Sequence, residues 1–381
     1  MPNSCTAKLL IFHPANVFGG AERTLLNLLK HINRKRFWVV LVADSAVFHQ
    51  PPVDVFIDLD QRGISNGYAT ARHTLRDART LCALAREYNC SIVFGMLHYG
   101  AMVAALCGPL SGFALKTIAS PRTPSVKGIQ FHLGDRGWHV KKWHLWVHFF
   151  CRFADRVAVA SEGLKQEAVA QYGAQPERVW VIPNSVDDAV ISQAQAAADS
   201  LSYSGQINVI TVCRLVSEKN LDTLLQACAR IPPSLDLTLT IIGTGNQQSA
   251  LYALAEHLNI ANRVHFLGFK SNPFDYIKSA DIFVHTALFE GFGNVILEAM
   301  ACGVAVIATD CDFGPREIIG HGQNGLLCKP SDPDDLAKQL LILAENPELR
   351  RQLATTGLAH IEHFSAQRMA AGYQQLFLSL L

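Results

Sequence analysis

The chain has 381 residues, and at about 150 residues per domain that is roughly 2.5 units, so a single small module is excluded. Apolar residues make up 49% and charged ones 17%, with a mean hydropathy of +0.16, which leaves material for large cores and little for disorder. Lys plus Arg number 33 against 32 Asp plus Glu; a net charge of +1 offers no global field for nucleic acid, and none is expected as a partner.

Short apolar runs alternate with segments of helical period, the pattern of a parallel sheet covered on both faces. Strands are predicted at 8–12, 37–43, 53–59, 91–97, 115–119, 156–160 and 178–182, with helices at 21–32, 70–88 and 162–171 among them. Residues 101–115 read as a buried helix, a turn and a strand, because Gly108-Pro109 and Ser111-Gly112 interrupt the run, which falls short of the roughly 20 residues of a membrane span. Residues 184–206 are rich in Ala, Ser and Gln without an apolar period and read as a hinge. A second series follows, with strands at 207–212, 237–242, 264–266, 281–284, 304–308 and 325–328 and helices at 220–229 and 246–257. The expected fold is α/β: two tandem Rossmann-like domains, 1–183 and 207–365, a linker at 184–206, and a terminal helix at 366–381 that packs back on the first domain.

The ten cysteines form no C-x-x-C pair and lie mostly in apolar segments, which predicts buried free thiols in a reducing cytosol. The first residues lack the zones of a secretory signal, so a cytoplasmic protein is expected.

The sharpest motif is Glu290-Gly291-Phe292-Gly293-Asn294-Val295, continuing to Glu298 and Gly303. Its glycines let backbone approach a ligand closely, and a helix starting near Gly293 would aim unpaired N–H groups at an anion. Glu298 is the one charge in an apolar run, and a carboxylate there needs a partner such as ligand hydroxyls; stabilisation by the first-turn helix dipole is the alternative. Arg214 and Lys219 follow the second domain's first strand, where they could neutralise a diphosphate in place of a metal or simply be solvated cations paired with Glu218. In the first domain, Phe18-Gly19-Gly20-Ala21-Glu22-Arg23 links a strand to a helix, and His98 ends the strand at 91–97.

Together with Val181-Ile182-Pro183-Asn184-Ser185-Val186-Asp187 and with Asn324-Gly325-Leu326-Leu327 followed by Asp332 and Leu336, these motifs resemble the retaining glycosyltransferases of family four, of the bacterial surface-glycan type. The resemblance implies a GT-B fold, two Rossmann-like domains facing a cleft. It implies that Glu290 contacts donor-sugar hydroxyls, that Glu298 holds the ribose, and that Arg214, Lys219 and the amides of Gly293, Asn294 and Val295 hold the diphosphate. Gly291 and Phe292 belong to the same donor loop, and the base would lie near Gly268 and Phe269. Gly19, Gly20 and His98 would face the donor phosphate and the reacting centre, although Met96-Leu97-His98-Tyr99 matches the family only loosely. It further implies retention with the leaving phosphate accepting the acceptor's proton, a nucleoside diphosphate sugar (UDP first) as donor, no metal or other cofactor, and a glycan or lipid-linked acceptor.

Asp58-Leu59-Asp60 could be a D-x-D metal site, but a strand ending in a polar turn explains it. A dehydrogenase needs a complete dinucleotide fingerprint, and the runs at Gly243-Thr244-Gly245 and Gly291-Phe292-Gly293 each lack the third glycine. A sugar-nucleotide epimerase on the same fold and a catalytically silent sugar-nucleotide-binding protein both stay open. Residues 138–153 carry Trp138, Trp143 and Trp146 beside Lys141, Lys142, Phe149, Phe150, Arg152 and Phe153. They suit either a peripheral contact with an anionic membrane on its cytoplasmic face or a helix packing its aromatics inward.

Overall fold

The computed structural model describes residues 7–16, 19–67, 70–133, 137–196 and 206–381. Contacts divide the chain into two units, Met1–Ser185 with Ala366–Leu381, and Val186–Ser365.

The first unit runs β1 (Ala7–His13), α1 (Gly20–His31), β2 (Phe37–Ala43), β3 (Val55–Asp58), α2 (Ala71–Glu87), β4 (Ile92–Met96), α3 (Leu97–Leu110), β5 (Lys116–Ser120), α4 (Ser125–Leu133), α5 (Gly137–Phe153), β6 (Arg156–Val159), α6 (Glu162–Ala170) and β7 (Val179–Val181). Its seven strands are all parallel, in the order β3-β2-β1-β4-β5-β6-β7. Helices on both faces bury the inner strands twice, which is why β1 and β2 are nearly unbroken apolar runs, while the edge strands β3 and β7 stay partly exposed.

The second unit runs α7 (Asp188–Ala196), β8 (Ile207–Val212), α8 (Leu221–Ala229), β9 (Leu237–Ile242), α9 (Gln248–His257), β10 (Val264–Gly268), α10 (Phe274–Lys278), β11 (Ile282–His285), α11 (Asn294–Ala301), β12 (Ala305–Thr309), α12 (Pro315–Ile318), β13 (Leu326–Cys328), α13 (Pro333–Glu345) and α14 (Pro347–His360). Its six parallel strands are ordered β10-β9-β8-β11-β12-β13. The chain then returns to the first unit as α15 (Ala366–Leu378). Tyr373 and Phe377 of α15 are buried in the same core as Leu9, Ile11 and Phe37, with both rings within 6 Å of Phe94.

Both sheets reverse their winding at one point, between β1 and β4 in the first and between β8 and β11 in the second. In open α/β sheets the ligand crevice lies outside the carboxyl ends of the strands at such a reversal. The segments leaving those four strands carry the predicted site residues except Gly268 and Phe269, which lie at the end of the edge strand β10.

Within the predicted linker, the Ala- and Gln-rich segment forms α7, which packs on α10 and α11 of the second unit; residues 197–205 lie outside the described ones. In the C-terminal pattern, Asp332 caps α13 by accepting from the amides of Asp334 and Asp335 at 3.1 and 2.9 Å. Asn324 is buried and braces its turn, accepting from Gly320 N at 2.8 Å and donating to Ile318 O at 3.0 Å.

Candidate functional site

In the second unit, Arg214 and Lys219 leave β8 and Glu290 follows β11, so the reversal of the sheet brings residues 71 positions apart into contact. Lys219 Nζ donates to Glu290 Oε1, and His285 Nε2 lies 3.0 Å from the same oxygen. The loop is held from both sides: Thr286 donates to Lys219 O at 2.8 Å, and Leu288 N donates to Glu218 O at 2.9 Å. Side-chain exposure is 18% for Lys219 and 17% for Glu290, so this is a partly desolvated ion pair. Burial works against the Glu290 carboxylate, but Lys219 and His285 together hold its carboxyl well below the usual range. Burial likewise works against the Lys219 ammonium, and Glu290 overrides it, leaving its pKa raised.

Arg214 differs from Lys219. Its side chain is 70% exposed and bonds Glu218 at 3.0 Å, so of the two predicted diphosphate cations only Lys219 reaches the carboxylate loop. The Arg214 loop is nevertheless tightly placed. A Cβ on Gly243 would lie 1.8 Å from Cys213 O, and one on Gly245 would lie 2.1 Å from Leu215 O, so the two glycines let the β9 loop cross directly over the segment bearing Arg214. The incomplete fingerprint at Gly243-Thr244-Gly245 therefore serves backbone packing.

Gly293 caps α11 with a positive φ of 101°, a conformation that favours glycine. Asn294 and Val295 begin the helix and are partly exposed, while Gly291 and Phe292 are buried, Phe292 with its ring edge on Phe364. Glu298 is 9% exposed and lies in the second turn of α11, beyond the first turn where the dipole acts. That removes the dipole explanation for a carboxylate in an apolar run. Gly268 ends β10 with φ 68°, its carbonyl accepts from Gly243 N at 2.9 Å, and the Phe269 ring beside it is 75% exposed.

In the first unit, Gly19 caps α1 and Gly20 is its first residue; Phe18 lies outside the described residues. The amide of Gly19 donates to Glu22 Oε2 at 2.8 Å, and Glu22 Oε1 lies 2.8 Å from Nε2 of His13, at the end of β1. Burial opposes the Glu22 charge, but His13 and the Gly19 amide hold its carboxyl below the ordinary range. Sequence reasoning missed Glu22, His13 and His285 as determinants of loop geometry. His13 and His285 each directly follow a predicted strand and Glu22 lies at the start of a predicted helix, and nothing in the local sequence marks them as partners.

His98 departs from its predicted place. It lies in the first turn of α3, not at the end of a strand. Leu97 takes φ 63°, and Gly95 lies so close to Gly100 that a Cβ on it would sit 2.0 Å from the Gly100 carbonyl; strand therefore runs into helix with no loop between. The His98 ring is half-buried, lies edge-on to Phe150 at 6.2 Å, and has Nε2 2.8 Å from Ser125 Oγ. Burial pushes its pKa down to about 4.

Asp58 uses both carboxylate oxygens locally, accepting from Ser45 N at 3.1 Å and Asp60 N at 2.9 Å, as a polar turn after a strand requires. Among the described residues no group of three His, Cys, Asp or Glu is arranged to hold a metal. The nine described cysteines are free, and burial pushes Cys151, Cys228, Cys302, Cys311 and Cys328 up to about 12, which makes them poor nucleophiles.

On α5, Val147, Phe150 and Cys151 pack inward, while Trp138, Leu145 and Phe153 are 77, 66 and 57% exposed. The outward stripe also carries Lys141, Lys142 and Arg152, and the helix contains no acidic residue. Trp143 and Trp146 are half-buried against each other at 5.8 Å, with Lys142 over the Trp146 ring at 4.9 Å. Among the described residues no helix is long and apolar enough to cross a membrane.

Two family models match the chain, one described as Glycosyltransferase Family 4 over residues 18–190 and one described as Glycosyl transferases group 1 over residues 192–359. The chain is 30% identical, over 95% of its own length and 97% of the other's, to an N-acetylgalactosamine-N,N'-diacetylbacillosaminyl-diphospho-undecaprenol 4-alpha-N-acetylgalactosaminyltransferase of Campylobacter jejuni. A lipopolysaccharide core biosynthesis glycosyltransferase of Rhizobium meliloti is 31% identical over 45% of this chain and 49% of that one. Among solved structures, Anabaena HepE in complex with UDP is similar with a TM-score of 0.77 at 22% identity, covering 98% of this chain and 100% of that one. A lipopolysaccharide outer core galactosyltransferase is similar with a TM-score of 0.77 at 21% identity, covering 98 and 99%.

Proposed function

The chain belongs to glycosyltransferase family four, and on that premise we propose that it moves a sugar from a nucleoside diphosphate sugar, a UDP sugar first, to a glycan or lipid-linked acceptor in surface-glycan assembly, with retention at the anomeric carbon. Family membership makes it a glycosyltransferase enzyme with the GT-B fold and sets aside the dehydrogenase, epimerase and silent-binder readings. The observation that carries the proposal is the Lys219–Glu290 pair at the reversal of the second sheet, beside the start of α11.

In this reading Lys219, Arg214 and the amides of Gly293 to Val295 hold the diphosphate, where charge grows as the anomeric bond breaks. Glu290 accepts hydrogen bonds from the transferred sugar. A carboxylate held low by a lysine and a histidine is a weak base and a weak nucleophile, which supports an orienting role and retention without a glycosyl-enzyme. Glu298 holds the ribose, Gly268 and Phe269 border the base, and Gly19, Gly20 and His98 serve the donor phosphate and the reacting centre.

The test is a thermal-shift and transfer assay in EDTA. UDP at about 100 times its dissociation constant should stabilise the protein by roughly 2.7 kcal/mol, more than GDP or ADP at the same concentration, and transfer should continue without metal. Activity that vanishes and returns with manganese or magnesium would reopen the Asp58–Asp60 site; stabilisation by no nucleotide would sink the donor assignment.

The named acceptor of the Campylobacter relative is a diphospho-undecaprenol lipid, and the aromatic and basic stripe on α5 supports the same class of acceptor here, reached by peripheral contact with an anionic membrane. Lys141→Gln with Lys142→Gln should weaken sedimentation with anionic liposomes roughly 30-fold, from about 1 kcal/mol per lysine. Serine at Trp138, Leu145 and Phe153 should weaken it further with unchanged circular dichroism, because those side chains already face outward. Binding that survives all five substitutions would leave the stripe without a membrane role.

A further inference from the structure

Ser125, the first residue of α4, is 3% exposed. Its backbone is clamped: its amide donates to Glu167 Oε2 at 2.8 Å, and the Val126 amide donates to Glu167 Oε1 at 2.9 Å, from a glutamate buried on α6. Its hydroxyl faces Nε2 of His98 at 2.8 Å and has no other partner among the described residues. Nδ1 of His98 takes no partner among them either, and Phe150 fixes the ring from its edge.

A hydroxyl carries one proton, and burying it without an acceptor is unfavourable. If His98 donated from Nε2, the Ser125 O–H would have no acceptor. If Ser125 donates to an unprotonated Nε2, both groups are satisfied. The neutral ring, which burial favours, then carries its one proton on Nδ1. In water a histidine side chain prefers the opposite tautomer, so the serine has a preference to reverse.

We propose that Ser125, braced by Glu167, is a positioning residue that holds His98 as the Nδ1–H tautomer, so that His98 presents a hydrogen-bond donor to an oxygen of the nucleotide-sugar donor, a phosphate oxygen or a sugar hydroxyl, and does not act as a base. This rests on the placement of His98 at the donor in the proposed function. It adds what that placement leaves open, the direction of the hydrogen bond.

The experiment uses the full chain with ¹⁵N-labelled histidine, long-range ¹H–¹⁵N correlation spectra, and His98→Asn to assign the signal. The expected pattern is a protonated Nδ1 and an unprotonated Nε2. Ser125→Ala should shift the population toward Nε2–H and lower kcat on the order of tenfold, with the KM for the donor within about twofold. Ser125→Thr keeps the hydroxyl and should recover both readouts. An Nε2–H pattern in the unaltered protein overturns the proposal whatever its turnover, and so does a switched tautomer in Ser125→Ala with unchanged kcat. The spectra need neither substrate nor turnover, so failure of the tautomer assignment is distinguishable from absence of glycosyl transfer.

Discussion

Lys219→Met is expected to lower glycosyl transfer by on the order of 10²- to 10³-fold, the usual effect of removing one preorganised group from a site of developing charge, and to destabilise the protein as well. Breaking a buried pair costs about 3–5 kcal/mol because the surviving charge is left uncompensated. The residual exposure of this pair and the remaining His285 contact place the expectation at the lower end, about 3 kcal/mol. The double variant Lys219→Met with Glu290→Gln should regain most of that stability and none of the turnover, which separates the two effects.

The pH dependence of this stabilisation has a definite sign. Glu290 has a depressed folded pKa, so its contribution is complete above its unfolded value of about 4.3 and is lost as pH falls through the folded one. Lys219 has a raised folded pKa, so its contribution is complete below about 10.4 and is lost as pH rises through the folded one. The stability gap between the unaltered protein and the single variant should therefore be flat from about pH 6 to 9. Equilibrium urea unfolding and steady-state rates check both parts. A single variant with unchanged stability and turnover would mean that the pair serves neither fold nor reaction.

Strands were the most legible part of the sequence. Parallel strands covered on both faces are continuous apolar runs, so 37–43, 207–212 and 237–242 were predicted with the ends the structure shows. The start of α3 was not legible, because the Gly95–Gly100 approach and the left-handed Leu97 replace the loop that a polar or glycine-rich stretch would announce. Within 184–206 the division between the two units falls after Ser185, while the helix Asp188–Ala196 was not legible, because Ala and Gln without a strong apolar stripe do not announce its packing on α10 and α11.

At the site, the residues were legible through motifs while their partners were not. Lys219 and Glu290 meet only because β8 and β11 are neighbours at the reversal of the sheet, and no local spacing encodes that. Arg214 and Lys219 are similar cations on one loop, yet one is solvated against Glu218 and the other desolvated against Glu290. The same holds for α5, whose sequence lists its aromatics while helical phase alone decides that Phe150 is core and Trp138 is surface.

The two glutamates of the motif should separate kinetically. Glu298, buried in the second turn of α11, is assigned to the ribose, which is bound in ground and transition states alike. Glu298→Gln should therefore weaken free UDP and the sugar donor together, by about 1.5 to 3 kcal/mol for lost charged hydrogen bonds, with kcat little changed at saturation. Glu290 is assigned to the transferred sugar, which free UDP lacks. Glu290→Gln should leave UDP affinity within about twofold and lower kcat on the order of tenfold to a hundredfold, because its contacts orient the sugar as the anomeric bond breaks. The glutamine also leaves Lys219 without its carboxylate, so calorimetry and rates must be taken on protein shown to be folded by its unfolding transition. Loss of UDP binding in Glu290→Gln with normal binding in Glu298→Gln would reverse the two roles. If neither change alters binding or turnover, the donor cannot lie at the carboxyl ends of β8 and β11, and the site assignment fails with it.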